Sequence, residues 1–242
     1  MKKNKPVTLF IQCLVDAMYP QVGQSLVQLF EKLDIPVNIP FDQTCCGQPA
    51  FNTGYRNRAK TAAKHFIDVF EDSGPIVCPS GSCVDMVRHQ YPALFTEGSA
   101  WHKRAKQIGT RVFELTEYLV DILEITDVGA SFNKRVTYHD SCHLLRNLGV
   151  AAQPRELIRH IRDVQFVEME TSEKCCGFGG TFAVKYADIS SAILEEKVDH
   201  IIAADVDVVV GCDISCLMNI QGMLNRRNSS VQTMHIARLL TQ

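Results

Sequence analysis

The tripeptide Cys45-Cys46-Gly47 recurs in this chain as Cys175-Cys176-Gly177. Each copy lies between one cysteine upstream and two downstream, so the ten cysteines form two groups of five. The first group is Cys13, Cys45, Cys46, Cys78 and Cys83, and the second is Cys142, Cys175, Cys176, Cys212 and Cys216. Matching members lie 129, 130, 130, 134 and 133 residues apart. This near-constant spacing predicts the duplication of a whole domain.

The residues around the cysteines repeat as well. A β-rich apolar run precedes the first cysteine of each group, at residues 7–11 and 135–138, and another precedes the fourth, at 75–77 and 206–210. Near residues 127–134 glycine, serine and asparagine interrupt the apolar pattern. We therefore predict a first lobe at residues 1–128 and a second lobe at residues 129–242, each containing one CCG motif.

Strands alternate with helices in both lobes. The spacing of apolar residues predicts helices that include residues 20–33, 54–71, 115–125 and 181–203. This alternation predicts two pseudo-symmetric α/β lobes, each with a mostly parallel sheet. Ligands of such sheets gather beyond the carboxyl ends of the strands, where Cys13, Cys78, Cys142 and Cys212 fall.

Composition excludes some classes of function. A formal net charge of −2 and an isoelectric point near 6.4 give no basic surface for nucleic acid. The N-terminal apolar run is broken by Gln12 and Asp16, and no stretch approaches the roughly 20 apolar residues that span a bilayer. We expect a cytoplasmic protein without a transmembrane segment.

Ten cysteines in a cytoplasmic chain indicate metal binding or redox chemistry more than disulfides. Structural zinc usually takes two close cysteine pairs, whereas the two sulfurs of an adjacent doublet diverge. Diverging sulfurs suit a cluster with several irons, so the residues favour an iron–sulfur cluster over zinc or purely structural cysteines. A glycine after the doublet permits a turn that brings backbone N–H groups to sulfur.

Other cofactor motifs are missing from the sequence. The run Gly177-Phe178-Gly179-Gly180 has Phe182 where the last glycine of a dinucleotide-binding loop belongs. No flavin or nicotinamide fingerprint and no ferredoxin-type cysteine run occurs. We therefore expect partner subunits that carry ferredoxin-like clusters or another redox cofactor.

His139 and His143 flank Cys142 and are the candidate catalytic residues. They could ligate a cluster, carry protons or donate hydrogen bonds to thiolate, and the alternative is an ordinary hydrogen-bonded structural role. The matching residues of the first lobe are Phe10 and Leu14, so any role of these histidines is special to the second lobe.

Six motifs resemble the cysteine-rich CCG domain of iron–sulfur oxidoreductases. They lie at residues 13–16, 44–55, 79–83, 139–143, 175–185 and 216–220, so the resemblance covers essentially the whole chain. The family includes the CCG-containing chain of heterodisulfide reductases and the iron–sulfur subunits of enzymes that oxidise glycolate and glycerol 3-phosphate. Within it, the motifs are most similar to those of proteins of L-lactate oxidation.

The resemblance implies a redox subunit of a cytoplasmic complex that oxidises L-lactate to pyruvate and passes electrons through [4Fe–4S]-type clusters, one per lobe. It implies other subunits with ferredoxin-like clusters as partners and L-lactate as a candidate substrate. A subunit of a disulfide reductase or glycolate oxidase is the alternative within the family. A zinc-stabilised interaction protein is the alternative from outside it.

The resemblance also implies the ligands. The family pattern ends in C-x₂-C, whereas the endings here are Cys78-x₄-Cys83 and Cys212-x₃-Cys216. The implied cluster and metal ligands are Cys13, Cys45, Cys46 and Cys83 in the first lobe and Cys142, Cys175, Cys176 and Cys216 in the second. Cys78 and Cys212 are further possible ligands.

Overall fold

A computed structural model describes residues 6–242. The chain forms two compact units that divide between Tyr118 and Leu119. The predicted lobes, residues 1–128 and 129–242, are placed from the cysteine repeat and from the break in the apolar pattern. They remain a prediction about where the duplicated sequences meet.

The first lobe is built on a parallel four-stranded sheet in the order β2-β1-β3-β4. The strands are β1 (Val7–Leu9), β2 (Val37–Asn38), β3 (Ile76–Cys78) and β4 (Val112–Glu114). The helices are α1 (Cys13–Met18), α2 (Pro20–Lys32), α3 (Gln48–Asn52), α4 (Arg56–Phe70), α5 (Gly81–Asp85), α6 (Tyr91–Leu94), α7 (Ala100–Gly109) and α8 (Leu115–Glu117). Residues Met86–Gln90 and Tyr118–Ile122 are π-helical.

The second lobe repeats this topology in the order β6-β5-β7-β8, again with parallel strands. The strands are β5 (Arg135–His139), β6 (Gln165–Phe166), β7 (Val208–Gly211) and β8 (Gln232–His235). The helices are α9 (Cys142–Leu148), α10 (Ala152–Arg159), α11 (Thr181–Lys185), α12 (Ala187–Ala203), α13 (Ile214–Arg226) and α14 (Ile236–Leu239). The predicted duplicated α/β fold is therefore confirmed.

Two predicted helices differ from the structure. The helix expected over 181–203 is divided into α11 and α12 because Tyr186 adopts φ −129° and ψ 54°, outside the helical region. The helix expected over 115–125 is α8 followed by a π-helical turn that ends at Ile122. Apolar spacing continues through both interruptions, so it could not reveal them.

No helix within residues 6–242 has both the length and the apolar character needed to cross a bilayer. The longest of them, α12, has 17 residues and carries charged side chains along its length.

An aromatic cluster fills the core of the first lobe beside the end of β1. The Phe10 ring meets Phe66 edge-on with ring centroids 4.9 Å apart and Phe70 at 5.7 Å. Tyr91 contacts Phe66 with ring centroids 5.6 Å apart. All four side chains are buried, so they hold α4 and α6 against the sheet chiefly through the removal of apolar surface from water.

The core of the second lobe contains one of its doublet cysteines. Cys176 packs in a buried cluster with Leu194 and Val198 of α12 and Ile220 of α13. The loop before the doublet is held by Lys197, which is fully buried and donates hydrogen bonds to the carbonyl oxygens of residues 171 and 172. Its burial lowers the pKa of Lys197 to about 8.

Glu114 at the end of β4 is completely buried and accepts hydrogen bonds from the N–H groups of Thr116 and Glu117. Burial raises its pKa from 4.5 to about 7. The folded protein therefore keeps the Glu114 proton at pH values where the unfolded chain has lost it. The carboxyl accordingly lowers the free energy of unfolding progressively as pH rises from about 4.5 to about 7.

We predict that Glu114→Gln is more stable relative to wild type at pH 8 than at pH 5. The change in relative stability should be on the order of 3 kcal/mol because the variant has no ionisable group at this position. Urea unfolding of both proteins at the two pH values measures it. Any cost of the unpaired amide is independent of pH and cancels. A relative stability that is the same at both pH values would contradict the prediction.

Candidate functional site

Four of the predicted ligand cysteines lie in the first turn of a helix that follows a strand. Cys13 and Cys142 are the first residues of α1 and α9. Cys83 and Cys216 are the third residues of α5 and α13. Since parallel strands end at the same edge of a sheet, this arrangement brings the upstream and downstream cysteines of each lobe together.

In the first lobe the doublet joins these two cysteines. The Sγ atoms of Cys13 and Cys45 are 3.6 Å apart, and those of Cys46 and Cys83 are 3.4 Å apart. These distances are well beyond a disulfide bond, and all ten cysteines are free. Cys13 is exposed and Cys45 partly exposed, whereas Cys46 and Cys83 are buried. The four thiols therefore run from the surface into the core.

The second lobe brings its four predicted ligands together in the same way. Cys175 contacts both Cys142 and Cys176, and Cys176 also contacts Cys216. Cys142 and Cys175 are partly exposed, whereas Cys176 and Cys216 are buried. The two lobes thus contain matching sets of four sulfurs, a soft donor set that is compatible with metal or iron–sulfur binding.

The glycine after each doublet is required by its backbone. Gly47 and Gly177 have φ values of +83° and +78°, a region that side chains rarely adopt. Their N–H groups donate to the sulfurs of Cys45 and Cys175 at 3.4 Å and 3.3 Å. A Cβ on Gly177 would lie 2.5 Å from the carbonyl oxygen of Ser190. The predicted turn and N–H···S contact are therefore both present.

Two side chains that the sequence did not single out fix the carbonyls of the doublets. The Tyr91 hydroxyl donates to the carbonyl oxygen of Cys46 at 2.9 Å, and the Asn219 amide donates to that of Cys176 at 2.9 Å. Asn219 lies three residues after Cys216, within the motif at residues 216–220 that resembles the CCG family. Its place in that motif could have indicated a role at the site. Tyr91 had no such signal because it is brought to the site by the tertiary fold.

A partly buried ion pair positions the loop before the second doublet. The Arg155 guanidinium donates to both carboxylate oxygens of Asp140 at 2.9 Å and 2.7 Å, and also to Glu168. It reaches the Ser172 hydroxyl at 3.1 Å. Asp140 is almost fully buried two residues before Cys142, so this bidentate pair ties the start of α9 to the doublet loop.

Only some of the thiols in each set can be ionised at the same time. Hydrogen bonds from Cys13, Cys46 and the Gly47 N–H lower the pKa of Cys45 to about 3. The contact with Cys45 raises the pKa of Cys13, and contacts with Cys45 and Cys83 together with burial raise that of Cys46. One thiolate therefore suppresses the ionisation of its neighbours.

The second lobe shows the same pattern with one addition. Contacts with Cys142, Cys176 and the Gly177 N–H lower the pKa of Cys175 to about 2. The pKa values of Cys142 and Cys176 are raised, chiefly by their contacts with Cys175. The contact with Cys176 and the nearby His139 ring lower the pKa of Cys216 to about 6 against the effect of burial.

The two histidines next to Cys142 differ in their surroundings. His139 is 1% exposed, and one of its ring nitrogens lies with the sulfurs of Cys176 and Cys216 in a group whose atoms are all within 4.8 Å of one another. His143 is partly exposed, and its Nδ1 lies 3.6 Å from the Cys142 sulfur. His139 thus faces the interior of the site, whereas His143 lies beside the partly exposed thiol of Cys142.

Cys78 and Cys212 do not occupy equivalent positions. In the sheets, Leu9 pairs with Val77 as Tyr138 pairs with Val210. Cys83 and Cys216 both lie six residues beyond these valines, but Cys78 follows its valine directly whereas Cys212 is separated from its valine by Gly211. Both sulfurs are fully buried, and that of Cys212 lies 3.2 Å from the Tyr138 hydroxyl.

The cysteine-rich CCG domain family matches this chain twice, at residues 7–88 and 136–221. The chain belongs to this family. Both matched CCG regions contain a complete set of four clustered cysteines, so the family resemblance predicted from the motifs is confirmed.

Curated relatives in the CCG family align along nearly the whole chain. A protein of Exiguobacterium sp. named lactate utilization protein A is 48% identical over 98% of this chain and 97% of its own length. Proteins with the same name from Bacillus subtilis and Geobacillus kaustophilus are 45% and 44% identical over 97% of this chain and 98% of theirs.

Among solved structures, a hypothetical protein from Helicobacter pylori superposes with a TM-score of 0.66 at 9% identity. The superposition covers 98% of this chain and 49% of that one. At this identity the likeness concerns the fold alone.

We predict that Gly177→Ala destabilises the second CCG lobe much more than Gly149→Ala. Both glycines have left-handed backbones, but nothing lies within 4 Å of a Cβ at Gly149. Gly149→Ala therefore measures backbone strain alone, on the order of 1 kcal/mol. Gly177→Ala adds the collision with the Ser190 carbonyl, and we expect at least about twice that loss in urea unfolding. Equal losses would show that the approach of Ser190 is unimportant.

Proposed function

We propose that this chain is the iron–sulfur redox subunit of a cytoplasmic complex that oxidises L-lactate to pyruvate. The observation that carries the proposal is the presence of two matching four-sulfur sets, each running from the surface into a core. The lactate-utilization name of several relatives at 44–48% identity supports the pathway.

The proposed ligands are the eight clustered cysteines. Cys13, Cys45, Cys46 and Cys83 would hold one [4Fe–4S]-type cluster, and Cys142, Cys175, Cys176 and Cys216 a second. Each bound cluster would supply one-electron transfer. The N–H groups of Gly47 and Gly177 already point at ligand sulfur, and such hydrogen bonds tune the reduction potential.

The protein's own residues would have distinct roles at each site. The buried thiols keep one side of a cluster away from water, which strengthens the N–H···S interactions. The more exposed cysteines, Cys13 in the first lobe and Cys142 and Cys175 in the second, would give the shortest route for electrons to a partner. The Asp140–Arg155 pair and Lys197 hold the second doublet loop in place.

Partner subunits follow from the same proposal. The 242 residues contain no sequence motif for binding flavin or nicotinamide, the cofactors that would accept hydride from a hydroxy acid. The residues after each doublet expose large apolar side chains, Tyr55 in the first lobe and Val184, Tyr186 and Ile189 in the second. Exposed apolar side chains near each doublet suit the docking of a partner protein, and the partner that we propose is a subunit with ferredoxin-like clusters.

Metal analysis of anaerobically purified protein tests the cofactor. We expect about eight irons and as many acid-labile sulfides per chain, four of each for every cluster. Electron paramagnetic resonance after reduction should show cluster signals. Two zinc ions per chain without sulfide would instead identify a zinc-stabilised interaction protein.

Two matched variants test the assignment of ligands. We predict that Cys46→Ser removes the iron of the first lobe and keeps that of the second, whereas Cys176→Ser does the reverse. Each should therefore retain about half of the wild-type iron and sulfide. Cys78→Ser tests the further possible ligand of the first lobe, and with only the eight clustered cysteines as ligands it should retain both clusters. Loss of all iron from either doublet variant would contradict two independent sites.

Growth tests the pathway. We predict that a strain lacking this chain does not grow on L-lactate but grows normally on pyruvate, the expected product. The wild-type sequence should restore growth, and Cys46→Ser should not. Normal growth of the deletion strain on L-lactate, in the absence of a second copy, would exclude lactate oxidation and favour another redox role.

A further inference from the structure

His139 occupies a special position in the second lobe. It is the last residue of β5, next to Gly211 of β7 at the carboxyl edge of the sheet. A ring nitrogen and the sulfurs of Cys176 and Cys216 all lie within 4.8 Å of one another. All three residues are buried, so these atoms converge on one point in the interior of the site.

Both ring nitrogens of His139 are buried, and neither has a hydrogen-bond partner of normal geometry within residues 6–242. A neutral imidazole has one N–H donor and one lone pair, and leaving them unpaired in a protein interior is costly. A metal held by the neighbouring thiolates would use the lone pair of the nitrogen that lies within 4.8 Å of both sulfurs.

The first lobe carries a phenyl ring at the equivalent position. The sheet register that equates Leu9 with Tyr138 also equates Phe10 with His139. Phe10 is fully buried and packs against Phe66 and Phe70, so the position serves the hydrophobic core there. A phenyl ring cannot ligate iron, so the donor sets of the two lobes differ at this one buried position.

We propose that His139 is a nitrogen ligand to the iron held by the second lobe. The second site then combines thiolates with an imidazole, whereas the first site is bound by thiolates only. The inference rests on the proposed iron–sulfur function and adds to it a chemical difference between the lobes. The imidazole would be a neutral donor in addition to the thiolates, so it would change the reduction potential of the second site only.

Isotope labelling of the unmutated protein tests the ligand directly. Protein grown with ¹⁵N-histidine is purified anaerobically and reduced, and pulsed electron paramagnetic resonance measures nitrogen hyperfine coupling to the cluster. We expect a strong coupling, typical of directly bound imidazole, that changes from the ¹⁴N to the ¹⁵N pattern. It should persist in Cys46→Ser, which keeps the second site, and disappear in Cys176→Ser.

A chain that contains iron and sulfide but shows no strong histidine coupling in the second-site signal overturns the ligand inference and leaves the proposed function standing. A weak coupling alone, typical of an N–H···S hydrogen bond, also overturns it. A chain without iron and sulfide overturns both. These outcomes need no substitution at His139 and so do not depend on whether such a variant folds.

His139→Phe provides a second measurement because it copies the residue of the first lobe. We expect loss of the strong nitrogen coupling and a change in the second-site reduction potential, with the first-site potential unchanged. Circular dichroism establishes that the variant is folded. A folded variant with an unchanged second-site potential would contradict a bound imidazole.

His160→Phe is the matched control for this substitution. His160 is an exposed histidine that follows α10 in the same lobe, and its ring contacts the backbone carbonyl oxygen of Glu156. The control makes the same chemical change away from the sulfurs. It should leave the nitrogen coupling and both reduction potentials as they are in the wild type.

Discussion

Neighbouring thiols cannot all ionise unless positive charge lies among them, and both lobes of this protein are arranged around that constraint. Sulfurs only 3.4 Å and 3.6 Å apart in the first lobe share hydrogen bonds that make Cys45 acidic and its neighbours less so. Iron would supply the missing charge and let every ligand sulfur ionise. The same crowding explains why each set is half buried, since a fully buried set of thiolates would be far more costly.

The parallel sheet makes such crowding possible. Strands β1 and β3, like β5 and β7, lie side by side and end at one edge, and each is followed by a helix whose first turn carries a cysteine. The doublet lies in the loop after the neighbouring strand. The carbonyl oxygen of its second cysteine accepts a hydrogen bond from Tyr91 in the first lobe and from Asn219 in the second. Duplication preserved this arrangement while the supporting side chains diverged.

The two lobes differ at the end of their central strands. The first lobe fills the position at the end of its central strand with Phe10 and an aromatic cluster, whereas the second has His139 there and fixes its doublet loop with Asp140, Arg155 and Lys197. The His139 ring adds to the contact with Cys176 in lowering the pKa of Cys216 to about 6. Two sites with a common ancestor thus acquired different chemical surroundings.

The sequence by itself determined the duplication, the α/β class and the family, because cysteine spacing and strand–helix alternation are local signals that survive without knowledge of packing. The sequence did not predict the helix break at Tyr186, because the apolar spacing continues although the backbone leaves the helical region. It also did not show that Cys78 and Cys212 differ by one residue in their position relative to the paired strands. Only the tertiary structure brought Tyr91 to Cys46 and left the buried nitrogens of His139 beside Cys176 and Cys216. Those contacts join residues far apart in the chain, and they form only when the sheet sets which strand ends meet.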